Sequence, residues 1–382
     1  MKVNYLMPTR IIMGENCLSA NRKLLAGLGK KGMIMTGPKS AKTNGSLDDT
    51  VRALSENGQA YALFDRVMNN PTDICVFEAA RSIKAGGCDF VIALGGGSPM
   101  DAAKAAAVLA LNDISKEELF GLKFTGALPL AAVPTTAGTG SETTPYSVLV
   151  DTTGPDGKSP REGGPAKRSF GSPSTFPRFA FLDARYMRTL GRDLTVHTAI
   201  DALSHAVEGM LTLRADRLSD ALAAEALALL GACYEGLLNF PAVPGEFPTE
   251  IREKLLLASC IAGMVISQSG TAAPHSMGYH FTLNWGTDHG RANGLLMKPF
   301  LRWCREKEGA SPVKPRIPAL CAALGMELEE FFGILEKLLG KRERAAPAEL
   351  EAWSAQKMKN AANTYLQPDQ GEILRIFREA VG

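Results

Sequence analysis

Apolar positions along the chain fall into two textures. Up to about residue 185, short apolar runs of strand length alternate with stretches of helical spacing. RIIMG (10–14), GMIMTG (32–37), AYALFDRV (60–67), DFVIALGGG (89–97), LPLAAVPTT (128–136) and FAFLD (179–183) read as strands. CLSANRKLLAGLG (17–29), SLDDTVRALSENG (46–58), DICVFEAARSIKAGG (73–87) and PMDAAKAAAVLALN (99–112) read as helices between them. This alternation predicts a mostly parallel sheet with helices on both faces.

The stretch 151–178 breaks the pattern. It is rich in Gly, Pro and Ser, and reads as a long loop or a hairpin near the end of the sheet domain. Beyond residue 185 the spacing is helical over 194–238 and 248–268, with NFPAVPGEFP (239–248) as a loop and short amphipathic helices over 312–382. The predicted layout is α/β: a sheet domain over 1–184, then an all-helical domain over 185–382. Ligand sites favour the cleft between two such domains.

Composition adds little to this and excludes more. The chain has 382 residues, 45% apolar and 21% charged, values ordinary for a globular enzyme. Net charge is +2, so nothing in the charge argues for a nucleic-acid partner. The basic run KRER at 341–344 reads as a solvated helix end. Seven cysteines with no CxxC pair favour free thiols in a reducing compartment. The N-terminus lacks a signal-peptide run, and the longest apolar run, 255–266, is too short to span a bilayer. The expectation is a cytoplasmic protein with no membrane partner.

The helical stretch HTAIDALSHAVEG (197–209) is the chemical focus. Asp201 and His205 lie four residues apart, on one helix face, one turn from each other. His275 and His289 follow downstream, and only five histidines exist in the chain. One carboxylate and three imidazoles make a four-ligand set for a divalent transition metal. Each residue alone also fits a hydrogen-bonded core or surface position. His197 reads as structural, and His280 as a neighbour of the set that relays a proton or supports a ligand.

Two polar turns follow buried strands. In LGGGSPMDAAKA, Ser98 suits an N-cap, Pro99 the first helical position, and Asp101 completes a capping-box spacing. Bare glycine N–H groups and a helix N-terminus suit a pyrophosphate, although Met100 stands where the third glycine of the dinucleotide fingerprint belongs. The same residues also make a plain strand-to-helix turn. PTTAGTGSETTP (134–145) is the second such turn, and the two together suggest one dinucleotide crevice.

Taken together, GGGSPMDAAKA, PTTAGTGSE, DALSHAVEG and HSMGYHFTLNWGTDHGRANG resemble, in order and spacing, the iron-containing (group III) alcohol dehydrogenase family. The resemblance covers roughly residues 5 to 300. It implies a dehydroquinate synthase-like architecture, an N-terminal dinucleotide-binding domain followed by a helical metal-binding domain. By motif position it implies Asp201, His205, His275 and His289 as metal ligands, with Fe²⁺ expected and Zn²⁺, Mn²⁺ or Ni²⁺ compatible. It implies cofactor contacts at Gly96, Gly97 and Ser98, with Asn70 and Asp101 nearby, and at Thr135, Thr136, Thr139, Thr144 and Lys167. A homo-oligomer, dimer or larger, is also implied.

Two departures from the family pattern matter. Where many relatives carry an Asp after the second strand, this chain has Gly37, followed by Lys39 and Ser40. Losing that carboxylate removes repulsion against a 2′-phosphate, and Lys39 suits one, so NADP(H) is expected over NAD(H). Where some relatives carry an extra histidine, this chain has Tyr279, with His280 beside it. The implied activity is hydride exchange between a nicotinamide cofactor and a small alcohol/aldehyde or ketone pair. A lyase resembling dehydroquinate synthase is the alternative on the same scaffold. It needs a basic pocket, whereas 197–209 holds no Lys or Arg and 270–294 only Arg291. A metal-containing binding protein without turnover is the third reading.

Overall fold

A computed structural model describes residues 3–381 except 155, 158, 163, 311, 342 and 343. Two residues of the basic run at 341–344, Arg342 and Glu343, therefore lie outside the described residues. The chain divides into two compact units. One holds Met7–Thr136 and Gly140–Leu190; the other holds the chain from Gly191 onward, the N-terminal residues through Leu6, and Ala137–Thr139.

The first unit is built on a sheet of β1 (Arg10–Met13), β2 (Lys31–Thr36), β3 (Ala60–Phe64), β4 (Phe90–Gly95), β5 (Leu130–Pro134) and β8 (Phe179–Leu182). The strand order is β1-β8-β5-β4-β2-β3, and every pairing is parallel. Every residue of β4 and β5 is buried, as expected for strands covered on both faces. One face carries Met33, Met35, Val91, Ala93 and Ala132 against the Asp73–Ala85 and Gly97–Leu111 helices. The other carries Ile34, Phe90, Ile92, Leu94 and Val133 against Leu18, Leu25 and Leu54. The period-2 alternation of one strand thus divides its side chains between two cores.

From β2 the chain steps outward to β3, then returns past β2 to β4 and continues the other way to β5. The reversal falls between β2 and β4, the kind of switch point whose carboxyl-end crevice takes ligands in open α/β sheets. The Gly/Pro-rich stretch is a hairpin. Strands β6 (Tyr146–Asp151) and β7 (Ala166–Gly171) pair antiparallel outside the main sheet. Buried Lys116 ties this hairpin down, bonding Asp151 Oδ1 at 2.7 Å and Gly154 O at 2.9 Å beside Asp73 Oδ2 at 3.3 Å.

Two local expectations are corrected. The 17–29 stretch forms two short helices, Cys17–Ala20 and Lys23–Ala26. Asn21 breaks it by folding its side chain back onto Cys17 O at 2.9 Å, the local competition that makes Asn a poor mid-helix residue. The capping box at Ser98 does not form. The helix begins at Gly97 after Gly96, with no side-chain cap.

The second unit is helical. Its longest elements are Arg192–Met210, Thr249–Ser269 and His289–Glu308. Pro274 enters the Ala273–Trp285 helix within its first turn, where its missing N–H costs nothing. Among the described residues, no single helix is long and apolar enough to cross a membrane.

Candidate metal centre and cofactor turns

Asp201 and His205 lie on the Arg192–Met210 helix, His275 two residues into the Ala273–Trp285 helix, and His289 at the start of the His289–Glu308 helix. The structure brings all four together. Asp201 Oδ1 lies 3.9 Å from Nε2 of each of His205, His275 and His289. The His205 and His275 rings stack at 4.8 Å, and the His289 ring meets His275 edge-on at 5.1 Å.

These separations are too long for hydrogen bonds. Two donors sharing a first-row metal, each at about 2.0–2.2 Å, stand no more than roughly 4.4 Å apart, and all three pairs meet that limit. The polar environment agrees. Asn293 Nδ2 faces Asp201 Oδ1 at 3.2 Å, His275 Nε2 at 3.3 Å, His289 Nε2 at 3.4 Å and Ser204 Oγ at 3.4 Å. One amide nitrogen carries two hydrogens and cannot serve four acceptors. This pole of the unit is acceptor-rich, an environment a cation satisfies. The residues present fit a divalent metal.

Protonation states favour the same use. Burial pushes the His205 imidazole down to about 4, so it is neutral near pH 7 with a lone pair to offer. Burial alone would raise the Asp201 carboxyl. The imidazoles of His205, His289 and His275 and the Asn293 amide outweigh it and hold the group below the usual carboxylate range.

Sequence reading missed Glu208. It is fully buried, and its Oε1 lies 2.6 Å from His275 Nδ1. Its Oε2 accepts from the N–H groups of Ala272 at 2.9 Å and His275 at 3.4 Å. With its proton on Nδ1, His275 presents a bare Nε2 to the cluster. The signal was legible: Glu208 follows Asp201 by seven residues, two turns along the same face. Asn293 had no such signal, because its partners lie on other helices.

The helix crossing that sets the cluster is close. A Cβ on Gly290 would stand 1.8 Å from His197 O, so only glycine lets the two helices approach there. His197 itself bonds Asp288 Oδ2 through Nδ1 at 2.7 Å, pinning the start of the His289 helix. The ring beside His289 is Tyr279, stacked at 5.6 Å. His280, one residue on and about 100° round the helix, instead stacks on Trp353 at 5.4 Å and meets Phe377 edge-on. Through those two rings His280 adjoins an aromatic cluster that also holds Phe281 and Trp285.

The candidate cofactor residues of the sheet unit gather at neighbouring strand ends. Gly95 ends β4 with φ +143°, a backbone state that favours glycine. Thr135 N donates to Gly95 O at 3.0 Å, joining the ends of β5 and β4. A Cβ on Gly96 would lie 2.9 Å from Thr136 Oγ1, so the two turns touch. Ser98 Oγ accepts from Asn70 N at 3.1 Å, which places Asn70 at the glycine turn and removes Ser98 from its expected cap. Asp101 is spent inside the protein, with Oδ1 accepting from Ser141 Oγ at 2.9 Å and Oδ2 from Val148 N at 3.0 Å. Gly37 follows β2, exposed Lys39 caps the short Ser40–Thr43 helix, and Lys42 pairs with Asp65 at 2.5 Å. Thr144 Oγ1 lies 3.3 Å from Lys104 Nζ, and Lys167 stands on β7. Thr139 groups with the helical unit.

Residues 8–184 match the sequence family described as iron-containing alcohol dehydrogenase, and residues 195–381 match the C-terminal part of the same family. The chain belongs to the iron-containing alcohol dehydrogenase family. Probable alcohol dehydrogenase EutG of Escherichia coli (strain K12) is 32% identical over 309 residues, 79% of this chain and 74% of the relative. A 1,3-propanediol dehydrogenase of Klebsiella pneumoniae is 30% identical over 99% of this chain and 98% of its own length. The crystal structure of an iron-containing alcohol dehydrogenase from Thermotoga maritima superposes with a TM-score of 0.86 at 37% identity, covering 99% of both chains. This iron-containing alcohol dehydrogenase is an oxidoreductase, and its parallel-sheet and helical units are those of the family.

Proposed function

We propose that this iron-containing alcohol dehydrogenase interconverts a small primary or secondary alcohol with its aldehyde or ketone, exchanging hydride with a nicotinamide cofactor, and that it favours NADP(H) over NAD(H). The observation that carries the reading is the convergence of one carboxylate and three imidazole nitrogens on one acceptor-rich pole. Relatives named for alcohols and 1,3-propanediol support a small-molecule substrate.

Asp201, His205, His275 and His289 would hold the metal, Fe²⁺ by family, in a set that also suits Zn²⁺, Mn²⁺ or Ni²⁺. A bound divalent ion supplies Lewis-acid polarisation of the substrate oxygen, which favours alkoxide at neutral pH. The residues supply the rest. Asp201 contributes one negative charge, so the set keeps a net positive field on a divalent ion. Glu208 fixes the tautomer and orientation of His275. Asp201, His205 and His275 are buried, while the His289 side chain is 28% exposed, so substrate approaches from the side of His289 and Tyr279.

In the sheet unit, Gly96, Gly97 and Ser98 offer backbone N–H groups to the cofactor phosphates, and Asn70 holds the Ser98 hydroxyl beside them through its own N–H. Thr135, Thr136, Thr139, Thr144 and Lys167 serve the remainder of the cofactor. Asp101 acts behind the turn, through Ser141. Gly37, Lys39 and Ser40 receive the adenosine ribose, with no carboxylate to repel a 2′-phosphate.

Elemental analysis of the purified protein, coupled to a nicotinamide absorbance assay over a panel of alcohols and aldehydes with both cofactors, tests this. The expected result is bound divalent metal, turnover abolished by His275→Ala, and a higher kcat/KM for NADP(H). Full activity in a metal-free His275→Ala protein would sink the mechanism; a strong NAD(H) preference would sink the cofactor assignment alone.

A further inference from the structure

Lys104 is a lysine with no route to solvent. It lies on the helix that the glycine turn opens, and it is 1% exposed. Its Nζ donates to Ser141 O at 2.7 Å, Ser141 Oγ at 2.7 Å and Tyr146 O at 2.8 Å, with Thr144 Oγ1 further off at 3.3 Å. Three short bonds use the three protons of an ammonium. Two of the acceptors are backbone carbonyls, Ser141 within the threonine turn and Tyr146 just past it. The same segment is bonded a second time to the same helix, by Ser141 Oγ to Asp101 Oδ1 at 2.9 Å and by Ser147 Oγ to Asp101 O at 2.7 Å.

Burying a charged amine is costly unless its bonds and neighbours offset the lost hydration. Here Asp101 supplies opposite charge and Glu142 adds to it as pH rises, burial having pushed its carboxyl up to about 7; Glu142 is itself buried with Oε1 lacking a hydrogen-bond partner. Lys167, whose charge also acts on Asp101, is the third charged group of this environment. An apolar residue would fill the volume at less cost. The ammonium does something packing does not: it gathers the Ser141 carbonyl of a 3₁₀ turn and the Tyr146 carbonyl at the start of β6 onto one point of the helix.

We propose that Lys104 is a positioning residue for the cofactor, clamping the 141–146 segment onto the helix of the glycine turn and so fixing the spacing of the two cofactor turns. This rests on the cofactor reading of those turns. The turns adjoin at Thr135–Gly95 and Thr136–Gly96, and beyond that Lys104 joins Asp101 in tying the 141–147 segment to the helix. Burial pushes the Lys104 amine down to about 8, so a clamp made by its charge slackens in mildly alkaline solution.

The test compares wild type with Lys104→Met, and with Ser141→Ala, which removes one acceptor. NADPH affinity is read by fluorescence titration, alongside KM for cofactor, kcat at saturating cofactor, and metal content. The expected result is an approximately tenfold rise in cofactor Kd and KM for Lys104→Met, about 1.4 kcal/mol by RT ln 10. A rise of a few-fold is expected for Ser141→Ala, both variants retaining kcat and metal content. The wild-type Kd also weakens between pH 7 and 9, and that of Lys104→Met does not. A purely structural lysine would lower kcat with the folded fraction and leave KM alone, and that outcome overturns the proposal. So does an unchanged Kd in Ser141→Ala should Lys104→Met fail to fold. Failure of the cofactor reading is distinct: the wild-type protein would bind no NADPH, or Gly97→Val would leave its affinity intact.

Discussion

His275 Nδ1 stands 2.6 Å from Oε1 of buried Glu208, while Glu208 Oε2 holds two backbone N–H groups at the start of the His275 helix. One carboxylate thus sets both the ring orientation and the turn that delivers the ring. Glu208→Gln cannot substitute, because its amide NH₂ would face either the ring N–H or the two backbone donors. Glu208→Gln and Glu208→Ala are each expected to weaken metal affinity by about 10- to 100-fold, the usual cost of losing such a partner. Competition titration with a chromophoric chelator measures this without turnover. Wild-type affinity in both variants would refute the role.

Gly290→Ala brings a methyl to 1.8 Å from a backbone oxygen of His197 and 2.9 Å from Asp201 Cβ. Neither obstacle is the flexible end of a side chain, so the helices must part. Their separation would carry His289 and Asn293 away from Asp201. A destabilisation of about 1–3 kcal/mol is expected, by analogy with overpacked cores, together with reduced metal content. Gly309→Ala, where the nearest atom is 3.6 Å off and the backbone is helical, is the matched control. Urea midpoints of the two apoproteins and metal content of the two holoproteins decide the matter; equal values would refute the close-approach argument.

The strands were legible because their side chains are apolar on both faces, and the observed spans lie within the predicted ones to a residue or so at most ends. The ends were not legible, because pairing decides them. Predicted through 67, β3 stops at Phe64, the last residue to find a partner, Met35, on β2. The Asp201/His205 pair was readable from helical period alone. The approach of His275 and His289 rests on packing between helices; the scarcity of histidines offered the four-ligand set without deciding it against core positions, and the resemblance implied it. Ser98 and Asp101 misled for a related reason: their local capping chemistry was outbid by Asn70, Ser141 and Val148, 28 to 47 residues away in sequence. Choosing between His280 and Tyr279 required knowing which side of one helix faces His289 and which faces Trp353.

His280 gives a pH prediction. Burial pushes its imidazole down to about 4, so the folded protein keeps the ring neutral where an unfolded chain, with an ordinary value near 6.5, has protonated it. Between those values the unfolded state binds more protons. Stability that this residue leaves intact above pH 6.5 is therefore lost progressively as pH falls towards 4. His280→Phe preserves a flat ring against Trp353 and cannot titrate. The loss of urea midpoint from pH 7 to pH 4.5 should be smaller in this variant than in wild type. An identical loss would mean that the ring is solvated in solution or that the stack opens.

Cofactor choice is testable at Gly37. The position follows β2, at the switch point of the sheet, and its backbone is free of positive φ. A Cβ there would lie 3.3 Å from Val67 O, a contact that a shift of a few tenths of an ångström relieves. Aspartate therefore fits, and its carboxylate would accept from ribose hydroxyls and repel a 2′-phosphate. Two unit charges about 4 Å apart interact by roughly 1 kcal/mol in water and about 4 kcal/mol at a partly shielded surface. Gly37→Asp should accordingly lower kcat/KM for NADP(H) by at least about tenfold while raising it for NAD(H). Lys39→Ala should lower the NADP(H) value alone, since that ammonium has no 2′-phosphate to meet on NAD(H). Parallel kinetics with the two cofactors check both variants. If Lys39→Ala weakens both cofactors equally, the lysine serves the shared pyrophosphate or ribose, and the preference has another origin.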